Sequence, residues 1–247
     1  MRTGWRFLCR RAPRAAAVEA EASLPQKHLI AQGFPPGPRA ISGLNPRISV
    51  LNFQAAKPDA IHLNYTLNRV IAFDETGGAD RSDRKYRTEG WEFLLAGGGV
   101  YDHLDFSFTP EHEDGMAAPL PPGTPGGGGP ELRQQLRILK EFIEGFDFLR
   151  MAPMPGALKQ SRITGALADK AAVWVLAEAG RAYAVYVKEG AGAELALALP
   201  TGDYGAEWLN PRTGSVEKTE TLRHEGGDRM LVSPAYSEDI ALRVTRR

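Results

Sequence analysis

Apolar and polar residues alternate along this chain in two different rhythms, and the change of rhythm near residue 155 predicts two kinds of architecture. Residues 28–32 (HLIAQ) read as a short buried strand, residues 34–46 as a Gly/Pro-rich connection, and residues 48–53 (ISVLNF) as a second strand. From Pro58 a helical stretch runs to Leu67. Residues 69–73 (RVIAF) form a third apolar run, closed by Asp74-Glu75-Thr76-Gly77-Gly78. Over residues 83–96 Tyr86, Trp91, Leu94 and Leu95 share one helical face, and residues 100–108 form a fourth strand-like run. A long polar loop and the low-complexity segment 121–130 lead to residues 131–148, the most clearly amphipathic helix, with Leu132, Leu136, Leu139, Phe142, Ile143 and Phe146 on one face. Alternating strands and helices predict a largely parallel sheet covered by helices.

Beyond residue 155 no helical period remains. Residues 173–176, 182–187, 194–199, 205–209 and 240–244 read as short strands parted by Gly, Asn-Pro and Asp/Gly turns, which predicts an antiparallel β-sandwich over residues 156–247. Pro153 and Pro155 break the preceding helix and set the boundary. The expected class is α/β followed by all-β. The first region, residues 28–155, holds about four β/α units where a closed (β/α)₈ barrel needs eight, so if the parent fold is a barrel this chain carries its second half. Residues 1–27 are expected to be a basic segment with a helix over 14–23. Five arginines precede the first acid, Glu19, and arginine interrupts the apolar WRFLC on both sides, so a secretory signal's apolar core is not formed. The compartment stays open.

Composition narrows the function classes. The 247 residues are 43% apolar and 24% charged, as in ordinary folded proteins. Thirty basic and thirty acidic residues cancel, leaving no field of one sign to draw in nucleic acid or an anionic membrane surface. No apolar stretch approaches the roughly 20 residues of a bilayer span. The single cysteine, Cys9, can build neither an internal disulfide nor a metal cage, and no His or Asp partner for nucleophilic chemistry is in view beside it. The 27 glycines and 18 prolines signal long loops.

Candidate chemistry gathers at two places. Asp74 and Glu75 stand at the C-terminal end of a buried strand, where ligands bind in α/β folds. A carboxylate there can attack an anomeric carbon; equally, either acid can cap its loop or pair with Arg81, Arg84 or Arg87. Residues 101–114 (YDHLDFSFTPEHED) collect five acids, two histidines and several aromatics, a mixture suited to sugars. His112 with Glu111, Glu113 and Asp114 offers metal-ligand types, but neither the second histidine of HExxH nor the EF-hand spacing is there, so no metal and no cofactor are expected. The glycines at 97–99 and 126–129 lack phosphate-loop context: the first is expected to end a helix and let backbone approach the next strand, the second to be a flexible surface loop. His28 reads as a core or edge residue at a strand start.

The runs VIAFDETGG, YRTEGWEFLLAGGGVYDHLDFSFT, EDG, PGGGGPELRQQLRILKEFIEGFDF, AYAVYVKEG, YGAEWLNPRTGSVEK and SPAYSEDIALRV resemble the C-terminal part of bacterial apiosidase-like and cellulase-like glycoside hydrolases. The resemblance covers roughly residues 28–247. It implies the C-terminal half of a (β/α)₈ TIM barrel followed by an antiparallel β-sandwich of a kind labelled collagen-binding. It also implies a polysaccharide or oligosaccharide partner, a retaining two-carboxylate mechanism, and a family that is usually exported. The nucleophile expected at the end of the seventh barrel strand falls on Glu75, with Asp74, Trp91, Asp102, His103 and Asp105 as substrate-side residues. The family's acid/base stands on the fourth strand, which would precede this chain, so little or no hydrolysis is expected from the chain alone. Two open sheet edges make self-association an expectation. The rival reading is a non-catalytic carbohydrate- or matrix-binding module, in which Trp174, Tyr183, Tyr186 and Trp208 would form an exposed strip; their spacing suits core packing equally.

Overall fold

The computed structural model describes residues 28–76 and 80–247, together with Val18, Ser23 and Pro25. Most of the expected helix over 14–23 and of the basic segment 1–27 lies outside the described residues, as do Gly77 and Gly78. The first sheet has four strands, β1 (Ile30–Phe34), β2 (Ile48–Gln54), β3 (Val70–Thr76) and β4 (Val100–His103), in that spatial order. Every neighbouring pair is parallel. Parallel pairing requires crossovers; residues 35–47 make the first without a helix, and helices supply the next two. Helix α1 (Lys57–Asn64) connects β2 to β3, and α2 (Asp83–Leu95) connects β3 to β4, while α3 (Pro130–Glu144) follows β4. Ser82 caps α2 by accepting the Lys85 amide. Leu51, Phe53, Ile71 and Phe73 from the sheet pack with Ala60, Ile61 and Phe93 from α1 and α2 into one apolar core.

The triple glycine after α2 closes the turn onto β4. Gly97 has φ +102°, and a Cβ there would lie 2.6 Å from the Pro153 ring. The Gly99 amide donates to the Ile71 carbonyl at 2.9 Å, bringing the backbone against β3. The strand-like run expected over 100–108 is shorter: β4 ends at His103, and Asp105 turns the chain away by accepting from the Ser107 amide and hydroxyl.

From residue 152 onward the chain is antiparallel. A six-stranded sheet has the order β11-β10-β13-β8-β7-β5, and a three-stranded sheet the order β12-β9-β6. Their strands are β5 (Ala152–Pro153), β6 (Leu158–Thr164), β7 (Ala172–Glu178), β8 (Ala182–Lys188), β9 (Gly192–Leu199), β10 (Gly202–Leu209), β11 (Val216–His224), β12 (Gly227–Val232) and β13 (Asp239–Arg246). Val185, Val187, Leu195, Leu197, Tyr204, Trp208, Leu231 and Val244 fill a core shared by the two sheets. β5 already belongs to the six-stranded sheet, pairing with β7.

A third apolar cluster joins the two regions. Trp91 and Leu95 of α2, Leu139 and Phe142 of α3, and Leu176, Ala184, Tyr186 and Ala241 of the six-stranded sheet pack together. Helix α2 is therefore covered on both sides, which accounts for the density of large side chains in its YRTEGWEFLL run. The polar Arg87 is buried within this seam. Its Nε and Nη2 donate to both carboxylate oxygens of Asp239 at 3.0 and 2.9 Å, Nη2 also reaches Glu238 at 2.7 Å, and Nη1 donates to Gln135 at 2.8 Å.

Candidate functional site

The C-terminal end of β3 departs from regular strand geometry where the acidic pair stands. Phe73 is paired with Tyr101 and Thr76 with His103, so two residues of β3, Asp74 and Glu75, oppose a single residue of β4. This is a bulge, which bends a strand and re-aims its side chains. Glu75 also adopts φ +50°, a left-handed conformation unusual for a non-glycine residue. Its Oε2 accepts from Gln54 Nε2 at 2.7 Å, and the side chain is exposed. Asp74 is half-buried and accepts from Asn52 Nδ2 on β2 at 2.5 Å. Thr76 is buried and donates its hydroxyl to Glu89 on α2.

Glu75, Thr76 and Glu89 line one cleft of ≈ 370 Å³ with Phe73, Leu104, Phe106 and Pro125 as apolar walls and Lys57 and Lys85 as cations. Ala55 completes the rim. Ala55, Lys57 and Glu75 have φ of 48°, 55° and 50°, so three of the non-glycine residues held left-handed meet around this one cleft. Such conformations cost about 1–3 kcal/mol each and concentrate at functional sites. Burial raises the proton affinity of Glu89; the Thr76 hydroxyl and Lys85, whose Nζ is 4.0 Å from Oε1, act in the opposite direction without cancelling it. The cleft therefore combines an exposed carboxylate with a carboxyl group that retains its proton to higher pH, between apolar faces.

The other expected site residues are distributed differently. Trp91 is 0% exposed, stacked on Tyr186 with centroids 5.3 Å apart and packed on Phe142 at 4.9 Å, so core packing takes up the face a sugar would need. Asp105 is tied by its Oδ1 to Ser107 and the Gly129 amide and by its Oδ2 to Arg133 at 2.7 Å. Burial opposes its charge, but these bonds outweigh burial and hold its carboxyl below the usual range. It organises the loop between β4 and α3. His103 is half-buried 5.2 Å from the Tyr86 ring, and burial lowers its proton affinity. Asp102 is exposed on β4. None of these four, nor Asp74, is among the walls of the cleft that holds Glu75.

Glu89, Lys57 and Lys85 were not among the expected site residues. Glu89 is one of six charged residues in the 83–95 run, with Asp83, Arg84, Lys85, Arg87 and Glu92, so local spacing did not single it out. The acidic loop around His112 is exposed, and no group of three or more potential metal ligands occurs among the described residues. The strip required of a binding module is not formed: Tyr183, Tyr186 and Trp208 are all buried. A larger groove of ≈ 480 Å³ runs between α3 and β4, but it is mainly apolar, and its Lys140 and Glu144 pair with each other at 2.8 Å.

No protein-family model matches the chain, and no curated protein matches it in sequence. Solved structures do match in fold. A structure described as a glycoside hydrolase superposes with a TM-score of 0.65 over 94% of this chain and 60% of its own, at 14% identity. A family 5 glycoside hydrolase from Bacteroides vulgatus superposes with a TM-score of 0.63 over 94% of this chain and 58% of its own, at 13% identity. The chain thus spans about three-fifths of the length of these two structures, and nearly all of it is similar in fold to glycoside hydrolases.

Proposed function

We propose that this chain is a glycoside-hydrolase-like protein of the apiosidase-like and cellulase-like kind. In this reading residues 28–155 form the C-terminal half of a (β/α)₈ barrel and residues 156–247 a β-sandwich. Its partner is a polysaccharide or oligosaccharide, the substrate of a retaining mechanism in which Glu75 is the nucleophile and the acid/base belongs to the barrel's fourth strand. The observation that carries the reading is the placement of Glu75: the C-terminal end of a parallel strand, turned outward by a bulge and a left-handed backbone, in a cleft with apolar walls. Apolar faces suit the C–H faces of a sugar ring, while carboxylates suit its hydroxyls and its anomeric carbon.

In a retaining reaction the Glu75 carboxylate bonds to the anomeric carbon as the glycosidic C–O bond breaks, and the electron pair departs with the leaving oxygen. A second carboxyl protonates that oxygen and later takes a proton from the water that releases the sugar from Glu75. The Gln54 amide, 2.7 Å from Oε2, orients the nucleophile. The unpaired edges of the described sheet, β1 and β4, are the surfaces through which copies of the chain would associate.

The test is covalent capture. Dinitrophenyl glycosides of glucose, xylose and mannose fluorinated beside the anomeric carbon need no proton donor for their first step. The expected result is an intact-mass increase of one fluoro-sugar, mapped to the Glu75 peptide and abolished by Glu75→Gln. An unmodified chain after exhaustive incubation, or an adduct that survives Glu75→Gln, overturns the assignment.

A further inference from the structure

We propose that a second pocket, where loops of the antiparallel region meet helix α2, binds a neutral sugar residue through its hydroxyl groups. This inference goes beyond the reading of Glu75 and does not depend on it.

Three connections of the antiparallel region build the pocket: the one that follows β6, the turn between β8 and β9, and the segment that enters β13. Arg84 of α2 closes the remaining side. The volume is ≈ 450 Å³, within the roughly 300–1,000 Å³ of small-molecule sites. The connections are fixed to one another. The Glu189 amide donates to the Glu238 carbonyl at 2.7 Å, the Tyr236 amide to the Ala191 carbonyl at 3.1 Å, and the Tyr236 hydroxyl to the Glu189 carbonyl at 3.0 Å. Gly190 permits the last of these bonds: at φ +107°, a Cβ there would lie 2.7 Å from the Tyr236 hydroxyl and 2.4 Å from Ile163.

Two ion pairs that start from the same helix differ in a way that points to a ligand. Arg87 and Asp239 are matched, with both carboxylate oxygens accepting from the guanidinium. Arg84, three residues earlier, donates from Nη2 to Glu189 Oε1 at 2.6 Å. Glu189 Oε2 and Arg84 Nε, however, are buried and have no hydrogen-bond partner within the protein. The nearest carboxylate oxygen of Glu238 is 3.7 Å from Nε, beyond hydrogen-bond reach. Glu189 is 8% exposed, so its orphaned oxygen carries a desolvation cost that a purely structural pin would relieve, as Asp239 does.

The two orphans select the chemistry of the ligand. One is an acceptor and the other a donor, and a single hydroxyl can donate to Oε2 and accept from Nε. An anion cannot donate to Glu189 and would meet Glu238 as well. An ammonium cannot accept from Arg84 and is repelled by its charge. Tyr236 and the exposed Leu167 supply apolar surface for the C–H face of a pyranose, and Ser237 supplies a further hydroxyl. The pocket and the Glu75 cleft flank the first turn of α2, through the chain neighbours Arg84 and Lys85, so binding at the two has to be told apart residue by residue.

The experiment follows the backbone amides of the full chain by NMR while cellohexaose, xylohexaose or mannohexaose is added to the solubility limit. An oligogalacturonate and a glucosamine oligomer serve as anionic and cationic controls. The expected result is a saturable shift of the Ala191 and Ser237 amides with at least one neutral sugar, and none with the charged ones. Glu189→Gln should weaken that binding by at least about 10-fold, because a hydrogen bond to a charged group is lost. Ala166→Trp should abolish it from an exposed position that leaves the Arg84–Glu189 pair in place, with the unfolding midpoint unchanged. Glu75→Gln should leave it as it was. No shift at these amides with any of the three neutral sugars overturns the proposal, as does tighter binding of a charged control or undiminished binding by Ala166→Trp. Shifts confined to the Glu75 cleft and lost in Glu75→Gln overturn it too while supporting the Glu75 reading; binding here without fluoro-sugar capture at Glu75 overturns that reading alone.

Discussion

Arg87 and Asp239 form a two-point ion pair with both side chains 2% exposed, linking helix α2 to the last strand of the six-stranded sheet. They lie 152 residues apart. Tyr186 donates to the same carboxylate at 2.9 Å, and Gln135 accepts from the guanidinium, so the donors and acceptors of the pair are matched on both sides. Burial opposes the charge on Arg87, but the hydrogen bonds and charge of Asp239 outweigh burial and hold the guanidinium ionised. Removing one partner strands the other charge in the seam. Asp239→Ala should therefore lower stability by about 3–5 kcal/mol in urea unfolding. Arg87→Lys should recover little of the wild-type value, because an ammonium cannot make the forked contact. A loss below about 1 kcal/mol for Asp239→Ala would show that the pair is not buried as described.

Trp91 separates core from site. Its ring is enclosed by Phe142 and Tyr186, so Trp91→Ala should cost about 3–5 kcal/mol through cavity formation. Trp91→Phe should cost less and leave fluoro-sugar capture at Glu75 unchanged. Loss of capture in a folded Trp91→Phe protein would return this residue to the substrate side.

The alternation of strands and helices made the parallel sheet readable in advance, because buried strands are short apolar runs and helices carry a 3.6-residue stripe; the order β1 to β4 came from the structure. Strands β6, β11 and β12 were not legible. LKQSRIT and VEKTETLRH are edge strands with mostly exposed side chains, so little apolar alternation marks them. The amphipathic helix expected over 131–148 stops at Glu144, where Gly145 follows and a short turn takes over. Glu75 could be singled out because an acid at the end of a buried run is a local pattern. The place of Glu89 depends on how α2 packs against Thr76, and the structural role of Asp105 on Arg133, 28 residues away; neither is encoded by local spacing.

Gly97 tests the helix-to-strand turn. Alanine there must adopt φ +102° and place its methyl against Pro153 and Tyr65, on backbone that joins α2 to β4. Gly97→Ala should destabilise the protein by at least about 1 kcal/mol in thermal or urea unfolding. Gly123→Ala, where φ is +80° but nothing lies within 4 Å, isolates the backbone component, and its cost should be the smaller. Equal costs would mean that the Pro153 contact contributes nothing.

Asp105 gives the loop between β4 and α3 a pH dependence of definite sign. Its folded-state proton affinity is depressed by Ser107 and Arg133 in spite of burial, so the stability it contributes is present above its unfolded value, about 3.9, and lost as pH falls through the lower folded value. Protonation removes the ion pair with Arg133 and weakens the bonds to Ser107 and Gly129 together. Because Arg133 also donates to the Gly115 carbonyl at 2.9 Å and lies over the Phe108 ring, the whole segment from 104 to 129 should loosen with it. Limited proteolysis by an acid-active protease should thus cut within 104–129 increasingly as pH drops below about 4, while the antiparallel region stays intact. Asp105→Asn should shift that susceptibility to neutral pH. A variant as resistant as the parent at pH 7 would mean that Arg133 holds the loop without its carboxylate.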